Sequence, residues 1–204
     1  MAVRAQIYMA QGGMNKRQAG EDFYFLHKII PLGAFREINS TRVIASPRPS
    51  DRVPFGTGRS VRDFLDSGKF ESYPLQAFED LRWLFADLPA LYKSDAPLDD
   101  CPPILQQFLG EQSASTQLAL IREHTATQSS FQKRFFGWFD GFLTMKYIHF
   151  ARDRAYGPAE VENVARELFH RRAHVLFGPA TRRDLLLAYR HLQRKPRMDT
   201  NSHE

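Results

Sequence analysis

The sequence has one cysteine, Cys101. That excludes an internal disulfide framework and a cysteine-rich zinc site, and it suits a reducing compartment. Long apolar runs are missing too, so no membrane-spanning helix is expected. The opening Met1-Ala-Val-Arg-Ala-Gln has no apolar stretch of the secretory kind, which leads to the expectation of a cytoplasmic protein, at most peripheral to a membrane. Glycine and proline number 12 each, too few for a collagen-like or low-complexity chain. What is present, 43% hydrophobic and 13% aromatic residues over 204 positions, is enough to bury a core and excludes a disordered chain.

The charge excess is small: 28 Lys and Arg against 23 Asp and Glu give +5. An excess of this size is compatible with anionic small molecules, a membrane surface or nucleic acid. The basic residues are spread and no nucleic-acid-binding motif occurs, which argues against nucleic acid.

Two textures divide the chain. Residues 1–74 are rich in Gly, Pro and Arg, with short apolar runs, and a boundary falls near Ser72-Tyr73-Pro74. From 75 to 195 the pattern is helical, and 196–204 reads as a flexible polar tail. In the first part, a helix from Val3 to Gln11 should stop at Gly12-Gly13. A second helix, from about Glu21 to Ile30, should begin behind Gly20 with its acids in the first turn. Phe35 to Ile38 and Arg42 to Ala45 read as short strands, Gly56-Thr57-Gly58 as a turn, and Ser60 to Leu65 as a helix. In the second part, helices are expected over Leu75–Leu88, Ile104–Leu109, Gln117–His124, Phe131–Arg154, from Pro158, and over Arg182–Gln193. Phe135, Trp138, Phe142, Met145 and His149 step by three and four, so they should share one buried face.

The chemistry-bearing stretch is Tyr8 to Arg59. Glycines ahead of an acidic pair let the backbone turn tightly and approach a ligand. Glu21 and Asp22 either cap their helix or point a carboxylate into a pocket, where it can take a proton from a hydroxyl nucleophile. Arg36, Arg42, Arg48, Arg52, Arg59 and Arg62 face only Glu37 and Asp51 in the same span. Guanidinium groups fork onto phosphate oxygens, and Gly56-Thr57-Gly58 could present backbone N–H groups to the same anion. The other reading is a solvated basic loop paired with acids elsewhere.

Tyr8-Met-Ala-Gln-Gly-Gly-Met followed by Gln18-Ala-Gly-Glu-Asp-Phe-Tyr-Phe-Leu-His-Lys resembles the C-terminal part of family 2 glycosyltransferases. The stretch from Thr41 to Arg59, with its Ser-Pro-Arg-Pro-Ser-Asp-Arg-Val-Pro-Phe-Gly-Thr-Gly-Arg, is similar to the segment after the Gly-Glu-Asp helix in a bacterial subgroup of that family. The resemblance covers residues 1–62. It implies the acceptor side of a GT-A fold, hence an α/β, mostly helical chain ending in an all-helical domain. It also implies sugar transfer from a nucleotide sugar to a hydroxyl acceptor, with Asp22 as catalytic base and Glu21 beside it. Gly12, Gly13, Gly20, Arg48, Arg52 and Arg59 are the implied substrate-binding residues. A divalent metal, Mg²⁺ or Mn²⁺, is also implied, but the family's Asp-x-Asp ligand motif does not occur. Only seven residues precede Tyr8, where the family has its nucleotide-binding region. The open expectations are a truncated reading frame, one piece of a split enzyme completed by a separate chain, or a remnant in new use. Alone, the chain should bind donor poorly, and whether it is active alone is left open by the sequence.

Other residues carry competing readings. His149 on an aromatic helix is either a satisfied core residue or a haem ligand, the latter making the chain an all-helical haem or small-ligand protein. His170 and His174 have one-face zinc spacing without a third ligand; His27 and His124 lack partners at metal spacing, and Cys101 lacks a catalytic partner. The basic stretch from Arg166 to Arg194 is either a solvated face or a membrane-surface contact. A non-enzymatic helical interaction module is the remaining alternative.

Overall fold

The computed structural model describes residues 2–16, 20–36, 38, 41, 43–44, 46, 48–49, 56–93, 98, 100–173 and 178–194. Arg42, Arg52, His174 and the 196–204 tail, each singled out from the sequence, lie outside the described residues. The chain is mostly helical and divides into two compact units, Met1–Phe70 and Glu71–Glu204.

In the first unit, α1 (Ala5–Ala10) ends at Gly12 and Gly13, both left-handed at φ +71° and +67°. That geometry returns the Gly13 N–H to the Tyr8 carbonyl at 2.8 Å. α2 (Glu21–Ile29) follows Gly20, also left-handed, and runs into a short 3₁₀ turn, Ile30–Leu32, stopped at Gly33. α3 spans Thr57–Ser67 and stops at left-handed Gly68. It begins earlier than expected, because Thr57 and Gly58 already form its first turn rather than a separate loop. No strand appears at the described residues of the two expected strands, 35, 36, 38, 43 and 44; the remaining residues of both spans lie outside the described residues. Among the described residues of this unit, the buried apolar side chain is Phe25.

The second unit contains the core. β1 (Glu71–Ser72) pairs antiparallel with β2 (Ala159–Glu160). Between them run α4 (Leu75–Ala86), α5 (Leu88–Lys93), α6 (Pro103–Glu111), α7 (Ala114–Glu123), α8 (Gln128–Trp138) and α9 (Gly141–Ala151). A π-helical turn (Arg152–Tyr156) extends α9, and α10 (Val161–Ala173) and α11 (Arg182–Arg194) come after β2. Prolines sit in the first turns of α5 and α6, where a missing N–H costs nothing. Leu84, Leu91, Leu105, Phe131, Phe135 and Tyr147 are fully buried and belong to one cluster.

Three expectations are corrected here. The Leu75–Leu88 helix is two, broken at Asp87. The Phe131–Arg154 helix is also two, because the Asp140 carboxylate accepts the Phe142 and Leu143 N–H groups, both at 2.9 Å, and starts α9 afresh. The break resets the phase: Leu143, Tyr147 and Ala151 face the core, while Met145 is exposed and His149 half-buried. Pro158 precedes β2 rather than opening a helix, and α10 begins at Val161.

Candidate functional site

The Glu21-Asp22 pair is positioned by a clasp between α1 and α2. The Tyr8 ring lies against Gly13, so close that a Cβ there would meet it at 3.0 Å. The same ring packs on Phe25 at 5.3 Å between centroids. The Met14 N–H donates to the Tyr8 hydroxyl at 3.3 Å, and Lys28 Nζ donates to the Gln11 carbonyl at 3.4 Å. The Tyr-x-x-x-Gly-Gly spacing therefore has a physical basis: at Gly13 a side chain would crowd the tyrosine ring and strain a left-handed backbone. Gly12, by contrast, has open space around it and serves the turn alone.

Gly20 caps α2 without a side-chain bond. Glu21 is half-buried and Asp22 exposed. Asp22 Oδ1 accepts the Phe23 N–H at 2.7 Å, so one of its oxygens is used locally. Of the arginines, Arg36 and Arg48 are exposed. Arg59 pairs with Asp63 one turn along α3 at 2.8 Å. The acid partner of Arg59 is thus on its own helix, not in the helical half of the chain.

Sequence reasoning missed a second constellation, inside the second unit. Asp80 is 1% exposed. Its Oδ2 accepts from the Tyr147 hydroxyl and from the Tyr156 hydroxyl at 2.7 Å. Its Oδ1 accepts from Gln76 Nε2 at 3.1 Å. Burial, then the bond to Asp80, pushes both phenols above their ordinary range. The buried Cys101 thiol is pushed up to about 12, first by burial and then by the Asp80 charge. A thiol held protonated in this way is a poor nucleophile. Asp80 stands on the Ala77-Leu81-Leu84 stripe of α4, where a buried acid must find donors; the sequence shows the stripe but not the donors.

His149 is spoken for on one nitrogen. Its Nε2 lies 2.8 Å from the Tyr73 hydroxyl, and the two rings stack at 5.3 Å. Arg152 sits over the same tyrosine ring. Iron ligation through Nε2 would require breaking the Tyr73 bond. His170 packs toward Gly178. The basic C-terminal stretch is two helices, and three of its arginines meet acids: Arg166 with Glu162, Arg171 with Glu79 and Glu167, and Arg182 with Glu160 and Glu162.

No protein-family model, curated protein or solved structure matches this chain. Among the described residues no group of three or more His, Cys, Asp or Glu side chains could hold a metal ion.

Proposed function

We propose that this chain carries the acceptor side of a glycosyltransferase, moving a sugar from a nucleotide sugar to a hydroxyl. Asp22 acts as the general base. Its carboxylate takes the proton of the acceptor hydroxyl as that oxygen attacks the anomeric carbon, and the nucleoside diphosphate leaves with the bonding electron pair. The Phe23 N–H orients Oδ1, so the proton goes to Oδ2. Glu21 stands beside it, and Arg48, Arg52 and Arg59 are assigned to the diphosphate, whose charge they offset.

The observation that carries this reading is the Tyr8–Gly13–Phe25 clasp. It fixes the start of α2 and leaves Asp22 exposed in the first turn, behind a glycine that needs no capping side chain. Calorimetric titration with a panel of nucleotide sugars in the presence of Mn²⁺ tests it. Weak heat is expected with one donor, reduced further in Arg48→Ala and Arg59→Ala. No heat with any donor favours the second reading, a non-enzymatic helical module. One observation supports that alternative: the best-packed part of the molecule keeps its buried polar side chains paired among the described residues.

A further inference from the structure

The two units differ in charge. Residues 1–70 hold 11 Lys and Arg against 6 Asp and Glu, whereas residues 71–204 hold 17 of each. The whole +5 therefore belongs to the first unit. Pairing every acid of that unit with a base of the same unit would still leave five cations. Bulky apolar side chains are exposed in the same unit. Ile38, Val43 and Ile44 are 70%, 97% and 85% exposed, and Leu32 and Phe35 are each 53% exposed. Arg36 and Arg48, both exposed, stand among and just beyond them.

Aliphatic side chains interleaved with guanidinium groups suit a water–lipid boundary. The apolar groups enter the region between headgroups and acyl chains while the arginines stay with the phosphates. A rigid protein groove would favour these side chains on one shape-complementary stripe. Here the described ones beyond Gly33 fall at irregular spacing on backbone without helix or strand, which a fluid surface accepts. The C-terminal helices, the obvious candidates from composition, have Arg166, Arg171 and Arg182 committed to glutamates.

We infer that the described residues of 32–48 dock this chain onto a bilayer bearing anionic lipid headgroups. The inference goes beyond the proposed reaction and stands whether or not Asp22 is a base. It is tested by sedimenting the purified full chain with vesicles of phosphatidylcholine, with and without phosphatidylglycerol. Co-sedimentation is expected with the phosphatidylglycerol vesicles only, weakening as added salt shortens the screening length. With circular dichroism unchanged, the variant Ile38→Ser/Val43→Ser/Ile44→Ser should lose at least about tenfold in vesicle affinity. Arg36→Ala should lose roughly fivefold. Arg183→Glu/Arg190→Glu, at exposed positions of α11, should bind as the wild type does. A wild-type chain that stays in the supernatant overturns the inference. So does self-association of the wild type, cured by the serine variant, in place of vesicle binding; the apolar residues would then meet a second copy. Equal loss in the α11 variant would also overturn it, by moving the contact to the C-terminal helices.

Discussion

The two units are held together differently. The second has a continuous core from α4 to α9, no net charge, and a buried carboxylate with three donors. The first buries Phe25, carries the entire charge excess, and fixes its local geometry with left-handed glycines and one tyrosine ring. A core of packed side chains specifies one arrangement cooperatively. A clasp of glycines specifies a turn and leaves nearby side chains exposed for chemistry or contact.

The sharpest way to break this comparison is Phe135→Ala. Phe135 is fully buried and stacks on Phe131 and Phe139, so the second unit should lose about 3–5 kcal/mol, read by denaturant unfolding. Phe25→Ala should leave that transition in place and loosen α1 and α2 alone, seen by hydrogen exchange. Next in size is Asp80→Ala. It strands two tyrosine hydroxyls and the Gln76 amide in or near the core, for a loss of about 3 kcal/mol. If Asp80→Ala unfolds no more easily than wild type, the buried cluster is not what ties α4 to α9. Gly13→Ala forces a Cβ toward the Tyr8 ring at a left-handed φ, a local cost of about 1–3 kcal/mol. Faster amide exchange at Met14 and in α2, with the second unit unchanged, is the expected record.

Alkali should also separate the two units. Cys101, Tyr147 and Tyr156 all belong to the second, and all are raised in the folded state. The stability that they contribute is complete below the ordinary thiol and phenol values, 9.0 and 10.0. It is lost as pH rises toward the folded values, about 12 for Cys101. Unfolding free energy of the second unit should therefore be insensitive to these groups below pH 9.0 and fall above it. The smallest effect is expected for Arg59→Ala, whose pair with Asp63 is exposed and contributes under about 0.5 kcal/mol. Any larger consequence of that change should appear in nucleotide binding.

Legibility from the sequence divides along the same line. The α1 stop and the α2 start are legible, because Gly12-Gly13 and Gly20-Glu21-Asp22 act through backbone conformation and the helix dipole, which are local. The reason for Gly13, a tyrosine ring lying where its side chain would be, is not legible, because it is a contact across a turn. In the second unit, helix positions can be read but their phase cannot. Aromatic residues crowd 131–150 on every side, so nothing in the periodicity marks the restart at Asp140. Asp80 escapes notice because one acid in an apolar stripe looks like an exposed position. Its tyrosine donors lie 67 and 76 residues away, beyond any local pattern.

The central functional claim is that Asp22 faces an acceptor. Nuclear magnetic resonance titration of the chain with a panel of alkyl glycosides measures that directly. Shift changes are expected at Glu21, Asp22 and the residues of the Tyr8–Gly13 clasp, and they should vanish in Asp22→Asn with the rest of the spectrum unchanged. Glycosides that leave the first unit unperturbed, or that perturb Asp22→Asn equally, would contradict the account.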